Sequence, residues 1–198
     1  MRWHGPTDTE DRSVTETNVA VIVGSLRKGS LNRMTAHALA ALAPEGMRLH
    51  PIEIGSLPLY DQDMDIAPPQ TWQDFRDAIR GADAVLFVTP EYNRSIPGVL
   101  KNAIDVGSRP YGHSAWAGKP GAVVTVSPSA IGGFGANHHL RQCMVFLDVP
   151  MMQQPEAYVG HAAGLFGPDG QLQNESTREF LRQFMLAFGN WIDRLRPH

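Results

Sequence analysis

Short apolar, β-branched runs alternate along the chain with stretches whose apolar positions recur every three to four residues. These are the periods of buried strands and amphipathic helices. Strands are predicted at residues 19–24, 47–54, 83–89, 122–127 and 151–159, and helices at 32–42, 71–80, 97–106, 136–147 and 176–195. Residues 84–88 are apolar without a break, as a strand covered on both faces requires. Thr71 is placed to cap the second helix, with Asp74 three residues on and Gly81 at its stop; Pro97 suits the first position of the third. In the last helix Phe180, Leu181, Phe184, Met185, Phe188, Trp191, Ile192 and Leu195 form a stripe near the helical period, which reads as a face packed on a sheet. The alternation predicts a three-layer α/β sandwich around a five-stranded parallel sheet in the order 2-1-3-4-5. In that order the ligand crevice lies beside strands 1 and 3, so the loops after Val23, Thr89 and Ser127 should converge.

Composition narrows the class. The 198 residues, 42% of them hydrophobic, suffice for one full core. A net charge of −3 carries no nucleic-acid footprint. Cys143 stands alone, which excludes an intrachain disulfide and a multi-cysteine zinc site and suits the reducing cytoplasm. No apolar run approaches the ~20 residues of a membrane span. Residues 1–17 are polar and lack the apolar core of a secretion signal; they are expected to form a disordered extension ahead of a single domain at 18–198.

The candidate chemistry begins where the first strand breaks into the loop Gly24–Asn32. A strand that feeds a helix through such a loop leaves backbone N–H groups aimed at one spot at the positive end of the helix, a site for phosphate. Gly24 and Gly29 have the spacing of P-loop glycines, but Ser30 stands where the lysine of that motif would be, which argues against triphosphate chemistry. The dinucleotide fingerprint is absent too, since Ser25 and Leu26 follow Gly24. The hydroxyls of Ser25 and Ser30, the Asn32 amide and the Arg27 guanidinium suit one terminal phosphate. On composition alone they equally suit an ordinary polar loop capped by Ser30.

Two loops together carry a resemblance. The motif from Gly24 to Asn32, followed by Pro90-Glu91-Tyr92-Asn93 and then Ser95-Ile96-Pro97-Gly98, Leu100-Lys101-Asn102-Ala103-Ile104-Asp105, resembles the NADPH-dependent FMN reductase family. That flavodoxin-like group includes quinone, chromate and azo-dye reductases. The similarity continues through Ala117–Pro120, Ile131–Gly133, His139–Arg141 and Gln154–Glu156, from about Val19 to the end of the chain. The resemblance implies that Ser25, Arg27, Ser30, Leu31 and Asn32 bind the FMN 5′-phosphate. It implies that Pro90, Glu91, Tyr92 and Asn93 run along the isoalloxazine, largely through backbone groups, and that Ser127, Ser129 and Gly132 meet the other edge of the ring. It further implies a permanent homodimer or homotetramer, NADPH or NADH as donor, and a small quinone, azo, chromate or flavin acceptor.

No general acid or base stands out, and hydride transfer through FMN to an acceptor bound in turn, with ping-pong kinetics, needs none. An electron-carrier flavodoxin, a flavin reductase serving a monooxygenase and a non-catalytic domain of the same fold are the alternatives. Tyr92 is expected either against the ring or, with Ile96, as a plug over the next helix. The Glu91 carboxylate is expected to point away from the ring, because a reduced flavin is anionic. His138 and His139 are adjacent on a helix and cannot form an i,i+4 metal pair. Cys143 reads as a buried thiol, Lys101, Asn102 and Asp105 as a solvated face, and Arg141 with Glu156 as an ion pair. Val106 stands where many family members have Trp, which implies a smaller wall of the pocket or interface. Ser129 replaces an expected Gly, which would strain the loop if that position needs positive φ.

Overall fold

The computed structural model describes residues 16–196. Most of the expected extension, residues 1–15, lies outside them, but Thr17 already pairs with Met47 in the first strand. In chain order the elements are β1 (Thr17–Val23), α1 (Leu31–Ala41), β2 (Met47–Ile52), α2 (Gln70–Arg80), β3 (Ala84–Thr89), α3 (Gly98–Gly107), β4 (Gly121–Val126), α4 (Phe134–Phe146), β5 (Ala157–Val159) and α5 (Glu175–Leu195), with short 3-10 turns at Gln62–Ile66 and Ala162–Gly164. The five strands form one sheet in the order β2-β1-β3-β4-β5, every pair parallel, as predicted.

Strand alternation sorts the core into two layers. Val19, Val21 and Val23 of β1, with Leu86, Val88, Val124 and Val126, face α1 and α5. Ala20, Ile22, Val85, Phe87 and Val123 face α2, α3 and α4. Most of the predicted stripe on the last helix lands there: Leu181, Phe184, Met185, Phe188 and Ile192 are buried against the sheet and Trp191 partly so, whereas Phe180 and Leu195 are exposed.

Several local expectations are corrected. Thr71 does not cap α2; the helix starts one residue earlier, behind Pro69, whose carbonyl accepts from the N–H groups of Trp72 and Gln73 (3.0 and 3.3 Å). Pro97 stands at the N-cap of α3, one position before its first helical residue. The fifth strand covers only Ala157–Val159, because the chain bends at 154–155; Met151 makes an isolated bridge to Gly121. Val106 is fully buried under α2 and α3 and forms no pocket wall; the indole of Trp116 fills that region, donating to the Ile104 carbonyl at 3.0 Å. Asn102 is 7% exposed and holds the segment after β2: it donates to the carbonyls of Leu57 and Pro58 (3.2 and 3.0 Å) and accepts from Tyr60 N–H (2.8 Å). Only Lys101 and Asp105 form the solvated pair expected of that face, at 2.8 Å.

Candidate functional site

Because all strands are parallel, the loops after β1, β3 and β4 leave the same edge of the sheet. The first two are pressed together at Gly24. Its N–H donates to the Val88 carbonyl at 2.9 Å, and a Cβ there would lie 2.3 Å from Thr89 Oγ1. The loop then opens outward: Ser25 is buried, while Leu26, Arg27, Lys28 and Gly29 are exposed. Ser30 caps α1, its Oγ accepting from Arg33 N–H at 3.2 Å. Both sequence readings of Ser30 thus meet in one residue, since a capping hydroxyl keeps its own proton free to donate. Asn32 is 5% exposed, and its Oδ1 has no hydrogen-bond partner. Between Gly24 and Arg33, the loop N–H groups find no acceptor among the described residues. Unpaired backbone donors and a helix N-terminus in one place fit a phosphate monoester, while the orphaned Asn32 Oδ1, an acceptor, suits a hydroxyl donor beside it.

The loop after β3 is a tight hairpin. Tyr92 and Ser95 exchange backbone hydrogen bonds of 2.9 and 3.0 Å around Asn93 and Arg94, whose φ values of 53° and 66° lie in the left-handed region. Strain of this kind costs about 1 kcal/mol or more per residue and persists only where neighbours fix it. Ile96, 8% exposed, plugs the core at the base of the hairpin, whereas Tyr92 is 48% exposed and free to stand over a ligand. The Glu91 carboxylate is turned toward the first turn of α4. One oxygen accepts from Ala136 N–H at 3.0 Å, and the other pairs with Arg94 at 2.8 Å. Burial pushes its carboxyl up, but the N–H groups of Ala136 and Gly135 and the Arg94 guanidinium together hold it below the usual carboxylate range. Its folded value is therefore depressed; the stabilisation it gives is complete above the unfolded carboxylate range and fades as pH falls through the lower folded value.

The loop after β4 supplies the third wall. Ser127 N–H donates to the Val159 carbonyl at 2.9 Å, and the Ser127 and Ser129 hydroxyls lie 2.9 Å apart. Ser129 is not in the left-handed region, so the expected strain is absent there. The positive φ falls at Gly132 (65°) and Gly133 (83°), and Gly133 caps α4 without a side chain. A Cβ on Gly132 would lie 2.8–2.9 Å from the backbone of Tyr158, and one on Gly133 would lie 2.9 Å from Thr125 Cβ.

Other candidates separate from the site. His138 packs against Phe134 with ring centroids 4.3 Å apart and planes tilted by 49°, and His139 Nδ1 meets Ser95 Oγ at 2.7 Å, so the two histidines diverge. No group of His, Cys, Asp or Glu among the described residues could hold a metal ion. Cys143 is half-buried, and that burial pushes its thiol up. Arg141 makes no contact with Glu156 within 4 Å; it donates instead to Asn137 Oδ1 and the Met152 carbonyl, both at 2.9 Å. Sequence reasoning missed the Glu91–Ala136 bond and the role of Gly135, where a Cβ would lie 2.9 Å from Glu91 Oε2. A glycine immediately before the predicted helix at 136–147 was the one available signal.

Residues 17–164 match the family described as NADPH-dependent FMN reductase. Over 176 residues the chain is 65% identical to a quinone reductase of Pseudomonas putida, covering 88% of this chain and 94% of that one. A 2-hydroxy-1,4-benzoquinone reductase of a Burkholderia species is 48% identical over 174 residues, covering 88% of this chain and 95% of its own. Among solved structures, FerB, a flavoenzyme NAD(P)H:(acceptor) oxidoreductase of Paracoccus denitrificans, superposes with a TM-score of 0.85 at 43% identity, covering 90% of this chain and 98% of that one. A flavodoxin variant of Pseudomonas aeruginosa shares the fold at a TM-score of 0.58 and 19% identity.

Proposed function

The chain belongs to the NADPH-dependent FMN reductase family, and from that membership we propose an FMN-dependent oxidoreductase that takes a hydride from NAD(P)H and passes it to a small acceptor of the quinone class. The observation that carries the reading is the meeting of an unpaired-donor loop, an exposed aromatic hairpin and a glycine-closed third loop at one sheet edge. Ser25, Arg27, Ser30, Leu31 and Asn32 hold the phosphate of FMN. Arg27, exposed on the loop, would offer it two parallel hydrogen bonds, and the loop N–H groups and the α1 dipole would add to the hold. The Pro90–Asn93 segment lines one side of the ring through its backbone, with Tyr92 available to cover it. Ser127, Ser129 and Gly132 close the opposite edge. Bound there, FMN supplies reversible hydride acceptance; the protein contributes geometry and a field for the reduced ring.

The exposed Val145 and Phe146, 80% and 82% accessible at the end of α4, support a homodimer or homotetramer that covers them. No helix among the described residues is long and apolar enough to cross a membrane, and a single free cysteine suits the cytoplasm.

With one accessible ring face, donor and acceptor must occupy it in turn. Initial rates with NADPH varied at several fixed benzoquinone concentrations should therefore give parallel double-reciprocal lines. Intersecting lines would mean that both bind together and would overturn the single-face site.

A further inference from the structure

We propose that Glu91 is a positioning residue for the flavin slot, its carboxylate strapping the β3 hairpin to the first turn of α4 and so fixing the separation of two walls of the site. The inference rests on the reading that this slot takes FMN. Glu91 lies between the two walls: it belongs to the hairpin, yet its Oε2 accepts from Ala136 N–H at 3.0 Å, 45 residues along the chain. Its side chain is 10% exposed and its second oxygen is taken by Arg94, so little freedom is left to it. The surroundings are shaped to this contact. Gly135 has no room for a Cβ, which would meet Glu91 Oε2 at 2.9 Å and the Arg94 carbonyl at 3.0 Å. Gly133, at the N-cap of α4, offers no side-chain acceptor, so the orphan donors of that helix are met from the hairpin instead.

A second strap lies one turn along α4, where Ser95 Oγ and His139 Nδ1 meet at 2.7 Å. The two ties flank the strained Asn93–Arg94 turn on either side. A hairpin whose tip is left-handed at two non-glycine residues would relax if released, and the backbone groups of residues 90–93 would move with it. Glu91 therefore reaches the flavin through the hairpin backbone, while its own side chain faces away.

Glu91→Gln keeps the shape and one acceptor but loses the charge. The test compares this variant, Glu91→Ala and wild type by titrating apo-protein with FMN and following quenching of flavin fluorescence, with urea unfolding of each apo-protein in parallel. Trp191→Phe, which loses the indole bond to the Pro150 carbonyl far from the slot, serves as a reference for plain destabilisation. The expected result is an FMN Kd raised about tenfold in Glu91→Gln, the scale of one charge-assisted hydrogen bond, and further in Glu91→Ala. The visible circular dichroism of the bound flavin should change in both, while Trp191→Phe keeps the wild-type Kd and spectrum. Wild-type Kd and spectrum in both Glu91 variants, with only the urea midpoint lowered, would reduce Glu91 to a helix cap and overturn the proposal. Failure of wild type itself to quench FMN would overturn the reading of the slot, and the proposal with it.

Discussion

Arg76→Ala should cost about 3–5 kcal/mol of unfolding free energy, the usual penalty for removing one partner of a buried ionic network. Arg76 is 3% exposed, and its guanidinium is held by two hydrogen bonds and an aromatic face. Nε donates to the Val106 carbonyl at 2.9 Å, Nη2 meets Asp65 at 3.4 Å, and the group lies 5.5 Å above the Trp72 ring. Asp65 also accepts from the Tyr60 hydroxyl at 2.7 Å, so the arginine joins α2, the end of α3 and the 3-10 turn after β2. Truncation takes the Arg76 bond from the Val106 carbonyl, leaving it the longer one from Arg109 N–H (3.4 Å), and leaves a carboxylate without its cation and a cavity, the last two recognised sources of large losses. Against a total stability of about 5–15 kcal/mol this is a severe change. Urea unfolding followed by far-UV circular dichroism measures it. Paired replacement by Arg76→Met and Asp65→Ala should recover a large part of the loss, because the orphaned carboxylate goes with its partner. A loss below about 1 kcal/mol for Arg76→Ala would mean that the network is solvated in solution.

Gly132→Ala should act on the flavin more than any other single methyl group. The residue sits at φ 65°, and the added Cβ would lie 2.8–2.9 Å from the carbonyl carbon, oxygen and Cβ of Tyr158. Backbone cannot swing aside as a side-chain tip can, so the loop after β4 must shift or the fold must absorb the strain. Left-handed strain and overpacking each cost about 1–3 kcal/mol. If the loop shifts, the loss appears as weaker FMN binding, about 10–100-fold in Kd. Fluorescence titration with FMN, beside apo-protein unfolding, separates the two outcomes. Gly164→Ala is the matched control: nothing lies within 4 Å of its added Cβ, and its φ is not positive, so it should leave both quantities near wild type. Unchanged FMN affinity and unchanged stability in Gly132→Ala would show that this loop is not the closed wall described above.

The features that were legible in the sequence are those written in local residue types. Continuous apolar runs marked β1, β3 and β4, and the strand order followed from alternation and size. The Gly24–Asn32 loop was legible because its chemistry, hydroxyls and an amide at a helix start, is contained in nine consecutive positions. What escaped was decided by contacts distant in sequence. Asn102 looked like one polar residue among others on an exposed face, yet it is buried by a segment 42–45 residues away. The Glu91–Ala136 bond spans 45 residues and has no periodic trace. Boundaries erred where proline chemistry intervened. Pro69 displaced Thr71 as the cap of α2, and the bend at 154–155 cut the fifth strand to Ala157–Val159. Ser129 was suspected of strain because a family pattern placed a glycine there; in these two loops the left-handed positions are Gly132 and Gly133 after it, and Asn93 and Arg94 after β3.

The most direct test of the central claim is an anaerobic stopped-flow experiment on the FMN-loaded protein, following the oxidised flavin band after mixing with NADPH or NADH and then with a benzoquinone. The account predicts rapid bleaching by a nicotinamide and full recovery of the band on adding the quinone. A flavin that stays bound but is bleached by neither donor would contradict it and would place this chain among electron carriers.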